Sequence, residues 1–128
     1  MKVYIASKIM YAERFRRLRT EWNAHRVEIY SRWLDQAVHE NSATPDDFHI
    51  FWLTDEQDVK ESDAVIVYGE TGDTLRGALV EAGIAIGAGI PVIIVGDSPS
   101  FASWQYHPKV VRADSLEHAR HMLLRLFR

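Results

Sequence analysis

"DAVIVYGETGDTLRGALVEAGIAIGAGIPVIIVG", Asp63 to Gly96, is the stretch that decides the fold. Its apolar run from Ala64 to Tyr68 is strand-length and closed by Gly69, which predicts a strand buried on both faces. "ETGDT" reads as a loop, and a helix is expected from about Leu75 to Gly89. Pro91 then opens a second apolar strand, "PVIIVG" (91–96). Strand, helix and strand in succession make a βαβ unit, in which the helix carries the chain between parallel strands.

The same alternation extends outward in both directions. "KVYIAS" (2–7) reads as a buried strand, and a helix from about Met10 to Ala24 carries Phe15, Leu18 and Trp22 along one stripe. "VEIY" (27–30) is a short second strand, and the segment from Ser31 to Thr44 is polar and irregular. Thr44 in "TPDD" suits an N-cap and Pro45 the first helical position, and Phe48, Phe51, Trp52 and Val59 mark the helix that follows towards Ser62. Beyond Gly96, "KVV" (109–111) is a last short strand, and "DSLEHARHMLLRLF" (114–127) is a helix capped by Asp114 or Ser115. The expectation is an α/β fold: a single domain over 1–128, a flavodoxin-like three-layer sandwich with a parallel sheet of about five strands. The strand order is 2-1-3-4-5 and helices cover both faces. Ligands of such sheets bind beyond the carboxyl ends of the strands, so the loops beginning at Ser7, Ser31, Gly69 and Gly96 are expected to meet at one crevice.

Composition narrows the function classes. The net charge of -3 and the dispersed basic residues show no broad footprint for nucleic acid. The basic cluster Arg14, Arg16, Arg17 and Arg19 falls in a helix and reads as a solvated face. The chain has no cysteine, which excludes disulfides and thiolate chemistry. "MKVYIAS" enters a strand directly, without the apolar stretch of a signal peptide, and the longest apolar run is broken by Glu81, glycines and Pro91. Cytoplasmic residence is expected. The histidines have no metal-site spacing, and neither GxSxG nor HExxH occurs.

Glu81 is the residue that composition does not explain. It is the one formal charge between Gly77 and Gly96, and a carboxylate in such surroundings needs either a partner or a chemical role. Gly77, Ala78, Ala82, Ala85 and Ala88 lie around it on the helix, all small. They make either a groove for a flat ligand or a surface for close packing on the sheet. Packing accounts for the small residues but not for the glutamate. The loop "GETGDT" (69–74) precedes that helix, where free N–H groups and the helix dipole attract anions, although its spacing matches neither the Walker pattern nor GxGxxG. Arg76 at the helix start opposes the dipole, as an exposed arginine or as one that faces a phosphate or carboxylate. Ser7 and Lys8 end the first strand at the predicted crevice. With Tyr68, Gly69, Thr74, Arg76 and Gly77 they form the candidate substrate-binding set. Asp58 is not separable from Asp55 or Glu56 by pattern. Trp33, Trp104 and Tyr106 fall in predicted loops, where each can stack on a base, cap the core or meet another subunit.

"QDVKESDAVIVYGETGDTLRGALVEAGIAIGAGIPVIIVG" (57–96) resembles the core of the nucleoside 2-deoxyribosyltransferases and the related 2'-deoxynucleoside 5'-phosphate N-hydrolases. The shared elements are an aspartate in a QD(L/V)-like turn, an apolar strand after (A/S)D, a glycine-containing loop and an E-x-G-x-A helix. "VYIASK" resembles the family's first strand. What the resemblance implies is that Glu81 is a nucleophile attacking the anomeric carbon of a nucleoside or nucleotide, with Asp58 as the assisting acid/base. A covalent glycosyl-Glu81 intermediate then passes the sugar to water or to a second base. The resemblance further implies that no metal or organic cofactor is needed, and that a homo-oligomer completes the pocket, with "SFASWQY" (100–106) as a candidate contributor. The chain departs from the transferases at Leu75, where they carry an aspartate six residues before the nucleophile. Thr74, Arg76 and Lys8 are instead placed to receive a phosphate, which favours a nucleotide N-glycosidase. The competing readings are a noncatalytic nucleotide-binding module of the same fold and a structural or interaction protein. Either is favoured if Glu81 lies outside a pocket or is locked by a buried arginine.

Overall fold

A computed structural model describes residues 1–36 and 42–126 of the chain. Its strands are β1 (Lys2–Ala6), β2 (Glu28–Ile29), β3 (Ala64–Tyr68), β4 (Val92–Val95) and β5 (Val110–Ala113). Its helices are α1 (Ala12–Asn23), α2 (Trp33–Gln36), α3 (Pro45–Glu61), α4 (Gly77–Gly87) and α5 (Leu116–Leu126). All strand pairings are parallel and the order is β2-β1-β3-β4-β5, as the alternation in the sequence predicts. Val3–Ala6, Ala64–Val67 and Val92–Val95 are buried at every consecutive position, which requires cover on both faces of the sheet. α1 packs on β2, α5 lies over β4 and β5, and α3 and α4 pack on each other with α4 over β1 and β3.

The ends of several elements shift from the sequence reading for local reasons. The first helix is preceded by a 3-10 turn, Ile9–Tyr11, so α1 proper begins at Ala12. β2 is two residues long because side chains replace its ladder. The Ile5 N–H donates to Ser31 Oγ at 2.8 Å, and the Ile5 carbonyl accepts from Trp33 Nε1 at 2.7 Å. Trp33 opens the short helix α2 inside the segment expected to be irregular. Residues 37–41 of that segment, and residue 127 of the predicted terminal helix, lie outside the described residues. Thr44 caps α3 as expected: its Oγ1 accepts from the Asp47 N–H, Asp47 returns the bond to the Thr44 N–H, and Pro45 stands first in the helix.

α4 starts at Gly77 rather than Leu75, because the Leu75 N–H donates to Ser100 Oγ at 2.9 Å and its side chain is buried under the loop. The helix closes in a Schellman arrangement, with Gly89 at φ +75° and N–H bonds from Gly89 to Ile86 and from Ile90 to Ala85. At the carboxyl ends of β3 and β4 the backbones of Gly69 and Gly96 nearly touch: a Cβ on Gly96 would sit 1.9 Å from the Gly69 oxygen. α5 begins after Ser115, whose Oγ accepts from the His118 N–H at 3.0 Å. Among the α1 arginines, Arg14 and Arg17 are exposed as a solvated face requires, and each of the four has a partner along the surface. Arg14 reaches Glu70, Arg16 the Leu34 carbonyl, Arg17 Glu13, and Arg19 Asp35.

Candidate active site

A cleft of about 490 Å³ opens beyond the carboxyl ends of β1 and β3, where the strand order reverses. Ser7, Lys8, Ile9 and Met10 contribute from the turn after β1, and Thr74, Leu75 and Arg76 from the loop before α4. Gly77, Ala78 and Glu81 belong to α4 itself, while Trp33 comes from α2 and Trp52 and Asp55 from α3. Six of the candidate residues, Ser7, Lys8, Thr74, Arg76, Gly77 and Glu81, are therefore brought together in one cavity.

Glu81 is 6% exposed and turns into this cleft. Among the described residues no hydrogen bond or ion pair reaches its carboxyl. Burial pushes its pKa well above the usual carboxylate range, because the charged form loses water without gaining a counter-charge. The small residues around it serve both purposes the sequence left open. Ala82 and Ala85 are buried in the core, whereas Gly77 and Ala78 face the cleft and leave room beside the carboxyl.

The loop that leads into α4 is pinned from two directions. Asp73 is buried, and its Oδ2 accepts from the Glu70 N–H at 2.8 Å and from Tyr11 Oη at 2.7 Å. These bonds, the Glu70 N–H first, hold its pKa below the usual carboxylate range, with Lys8 Nζ adding attraction from 3.8 Å. Ser98 Oγ donates to the Asp73 carbonyl, so the loop after β4 buttresses the cleft from behind. Ser7 Oγ donates to the Tyr68 carbonyl at 2.8 Å, which extends the β1–β3 pairing to the cleft edge. Arg76 is exposed at the start of α4 and has no carboxylate partner among the described residues.

Asp58, Tyr68 and Gly69 do not line the cavity. Asp58 is fully buried and bonded to Arg32, whose Nη2 lies 2.7 Å from Oδ1. The aspartate that faces the cleft is Asp55, one helical turn earlier on α3. The Tyr68 side chain points instead at Arg14 and Glu70 and packs edge-on against Tyr11 and Phe15. Gly69 is a close-packing position: a Cβ there would lie 2.8 Å from that of Ser98. Trp33 does line the cleft, with its indole N–H committed to Ile5. Trp104 packs on Phe101, Tyr106 is exposed, and neither reaches the cavity. Trp52 was visible in the sequence only as a member of the α3 stripe and Asp55 only as an alternative to Asp58, while Ile9 and Met10 had no distinguishing pattern. The i, i+3 spacing of Trp52 and Asp55 is the signal that could have paired them. Among the described residues no cluster of His, Asp and Glu is arranged to hold a metal.

No family model matches the chain, and no curated protein matches it. Solved structures do. The 2-deoxyribosyltransferase of Bacillus psychrosaccharolyticus superposes with a TM-score of 0.71 at 12% identity, over 94% of this chain and 90% of that one. The CMP N-glycosidase BcmB of Clostridium botulinum superposes with a TM-score of 0.57 at 17% identity, over 96% of this chain and 98% of that one. At such identities the likeness is one of fold, and it spans nearly the whole of each chain.

Proposed function

We propose that this protein cleaves the N-glycosidic bond of a nucleoside or nucleoside 5'-monophosphate, with Glu81 as the nucleophile. The observation that carries the reading is a buried glutamate, without a partner among the described residues, turned into a cleft that also holds Lys8, Arg76, Asp55 and two tryptophans. The fold shared with a deoxyribosyltransferase and a CMP N-glycosidase supports it.

In the first step the ionised Glu81 carboxylate attacks C1' and the C1'–N bond breaks. Its electron pair leaves with the base, which takes a proton from Asp55. In the second step a water oxygen attacks C1', Asp55 takes a proton from that water, and the C1'–Glu81 bond breaks to regenerate the carboxylate. Both displacements invert C1', so configuration is retained. The assisting role assigned to Asp58 by resemblance passes to Asp55, since both Asp58 oxygens are occupied by Arg32. Lys8, Thr74, Arg76 and the free N–H groups at the start of α4 suit a 5'-phosphate. Leu75, apolar and buried where a transferase would orient an acceptor base, favours water over a second base as the acceptor. The reading includes a cytoplasmic, homo-oligomeric enzyme, with the oligomeric state to be read by light scattering.

One observation favours a noncatalytic nucleotide-binding module. Burial pushes the Glu81 pKa upward and so disfavours the charged form that would act as nucleophile. A chromatographic assay for free base over a panel of deoxynucleosides and monophosphates, with and without acceptor base, separates the two. Base release by the wild type and its loss in Glu81→Gln is the expected result. Nucleotide binding without release selects the binding module.

A further inference from the structure

We infer that Trp52 is the platform on which the substrate's base stacks, an inference that rests on the N-glycosidase reading. The cleft lining has two characters. Lys8, Thr74 and Arg76 are charged or polar, whereas Ile9, Met10 and Trp52 present apolar surface at 38%, 70% and 38% exposure. Large apolar side chains left in water around a cavity mark a surface that a ligand covers. A nucleotide has the same two characters, an anionic phosphate with a polar sugar and a flat base.

The two cleft tryptophans are held differently. The Trp33 indole N–H is bonded to the Ile5 carbonyl and the ring is nearly buried, so it is a fixed wall. Trp52 keeps part of its ring open over the start of α4. The residue beneath it is Gly77, where a Cβ would already touch Cη2 and Cζ2 of the indole at 3.4 and 3.5 Å. Glycine there lets the ring lie over the helix start, and a branched side chain would lift it. Asp55 follows Trp52 by three residues, so ring and carboxyl occupy one side of α3. A base stacked on the indole thus lies next to the group that protonates it on departure. Stacking reads ring area rather than hydrogen-bonding edges, so purines bind more tightly than pyrimidines at this site.

The test is a calorimetric titration of the full chain with adenine, cytosine and deoxyribose 5-phosphate, separately. Trp52→Ala is expected to weaken adenine binding by about 10- to 100-fold, with Trp52→Phe losing far less. Deoxyribose 5-phosphate affinity stays as in the wild type. Gly77→Val, which displaces the ring without removing it, weakens adenine in the same direction and covers the case in which Trp52→Ala does not fold. The inference is overturned if adenine fails to bind the wild type. It is also overturned if Trp52→Ala and Gly77→Val bind adenine as the wild type does, or if Trp52→Ala loses adenine and sugar phosphate equally. Trp52-dependent adenine binding in a protein that releases no base sinks the chemistry and keeps the platform. Base release with an unaltered KM in Trp52→Ala sinks the platform alone.

Discussion

Arg32 holds both oxygens of Asp58: its backbone N–H donates to Oδ2 at 2.9 Å and its Nε to Oδ1 at 2.9 Å. The pair ties the chain leaving β2 to the last turns of α3, and Ser62 Oγ adds a bond to the Asp58 carbonyl at 2.7 Å. α3 therefore presents Asp58 inward as an anchor and Asp55 outward to the cleft.

Replacing each aspartate separates these duties. Asp58→Ala removes two charge-assisted bonds from a fully buried carboxylate, while the half-exposed Arg32 guanidinium turns to water. The expected loss is about 2–3 kcal/mol of folding free energy, read from urea denaturation. Asp55→Asn keeps the shape of a half-buried residue, so its denaturation midpoint stays near that of the wild type. Base release falls by about 100-fold or more, the usual contribution of a general acid. Equal stability loss in the two variants would refute the division.

The contact between Gly96 and Gly69 gives a second prediction. Gly96 has φ +98°, and its missing Cβ would collide with a backbone oxygen that cannot move aside. Gly96→Ala combines backbone strain with overpacking and costs about 3 kcal/mol or more. Gly83, mid-helix with open space around its Cα, is the control: Gly83→Ala is expected to stabilise by about 0.5–1 kcal/mol. Thermal unfolding of the two variants beside the wild type reads both signs.

The sheet was legible because apolar runs such as Ala64–Tyr68 and Val92–Val95 have only one use at that length between helices. The Thr44 cap was legible because it depends on four consecutive residues. Glu81 stood out because a carboxyl among alanines and glycines has no structural excuse. Asp58 and Asp55 were not separable, since their difference is an angle about the α3 axis fixed by an arginine more than twenty residues away in sequence. Trp52 was hidden for a related reason. Its place in an apolar stripe suits a core residue, and only the packing of α4, with Gly77 beneath the ring, turns it to the cavity.

Glu81 supplies the last prediction through its protonation. Its folded-state pKa is raised, so the folded chain binds more protons than the unfolded chain over the window between the two values. Below the unfolded value of about 4.3 the neutral carboxyl costs the fold little. As pH climbs through the raised value, folding stability falls, because the unfolded chain ionises the group in water and the folded chain must do so in the cleft. Glu81→Gln removes this slope, and above the window it is the more stable protein. Denaturation of wild type and Glu81→Gln across a pH series reads the difference, and parallel curves would show that Glu81 ionises freely. On the proposed reading, attack on C1' needs the carboxylate, so kcat/KM is expected to rise with pH as free Glu81 ionises, over the interval in which the wild type loses stability relative to Glu81→Gln.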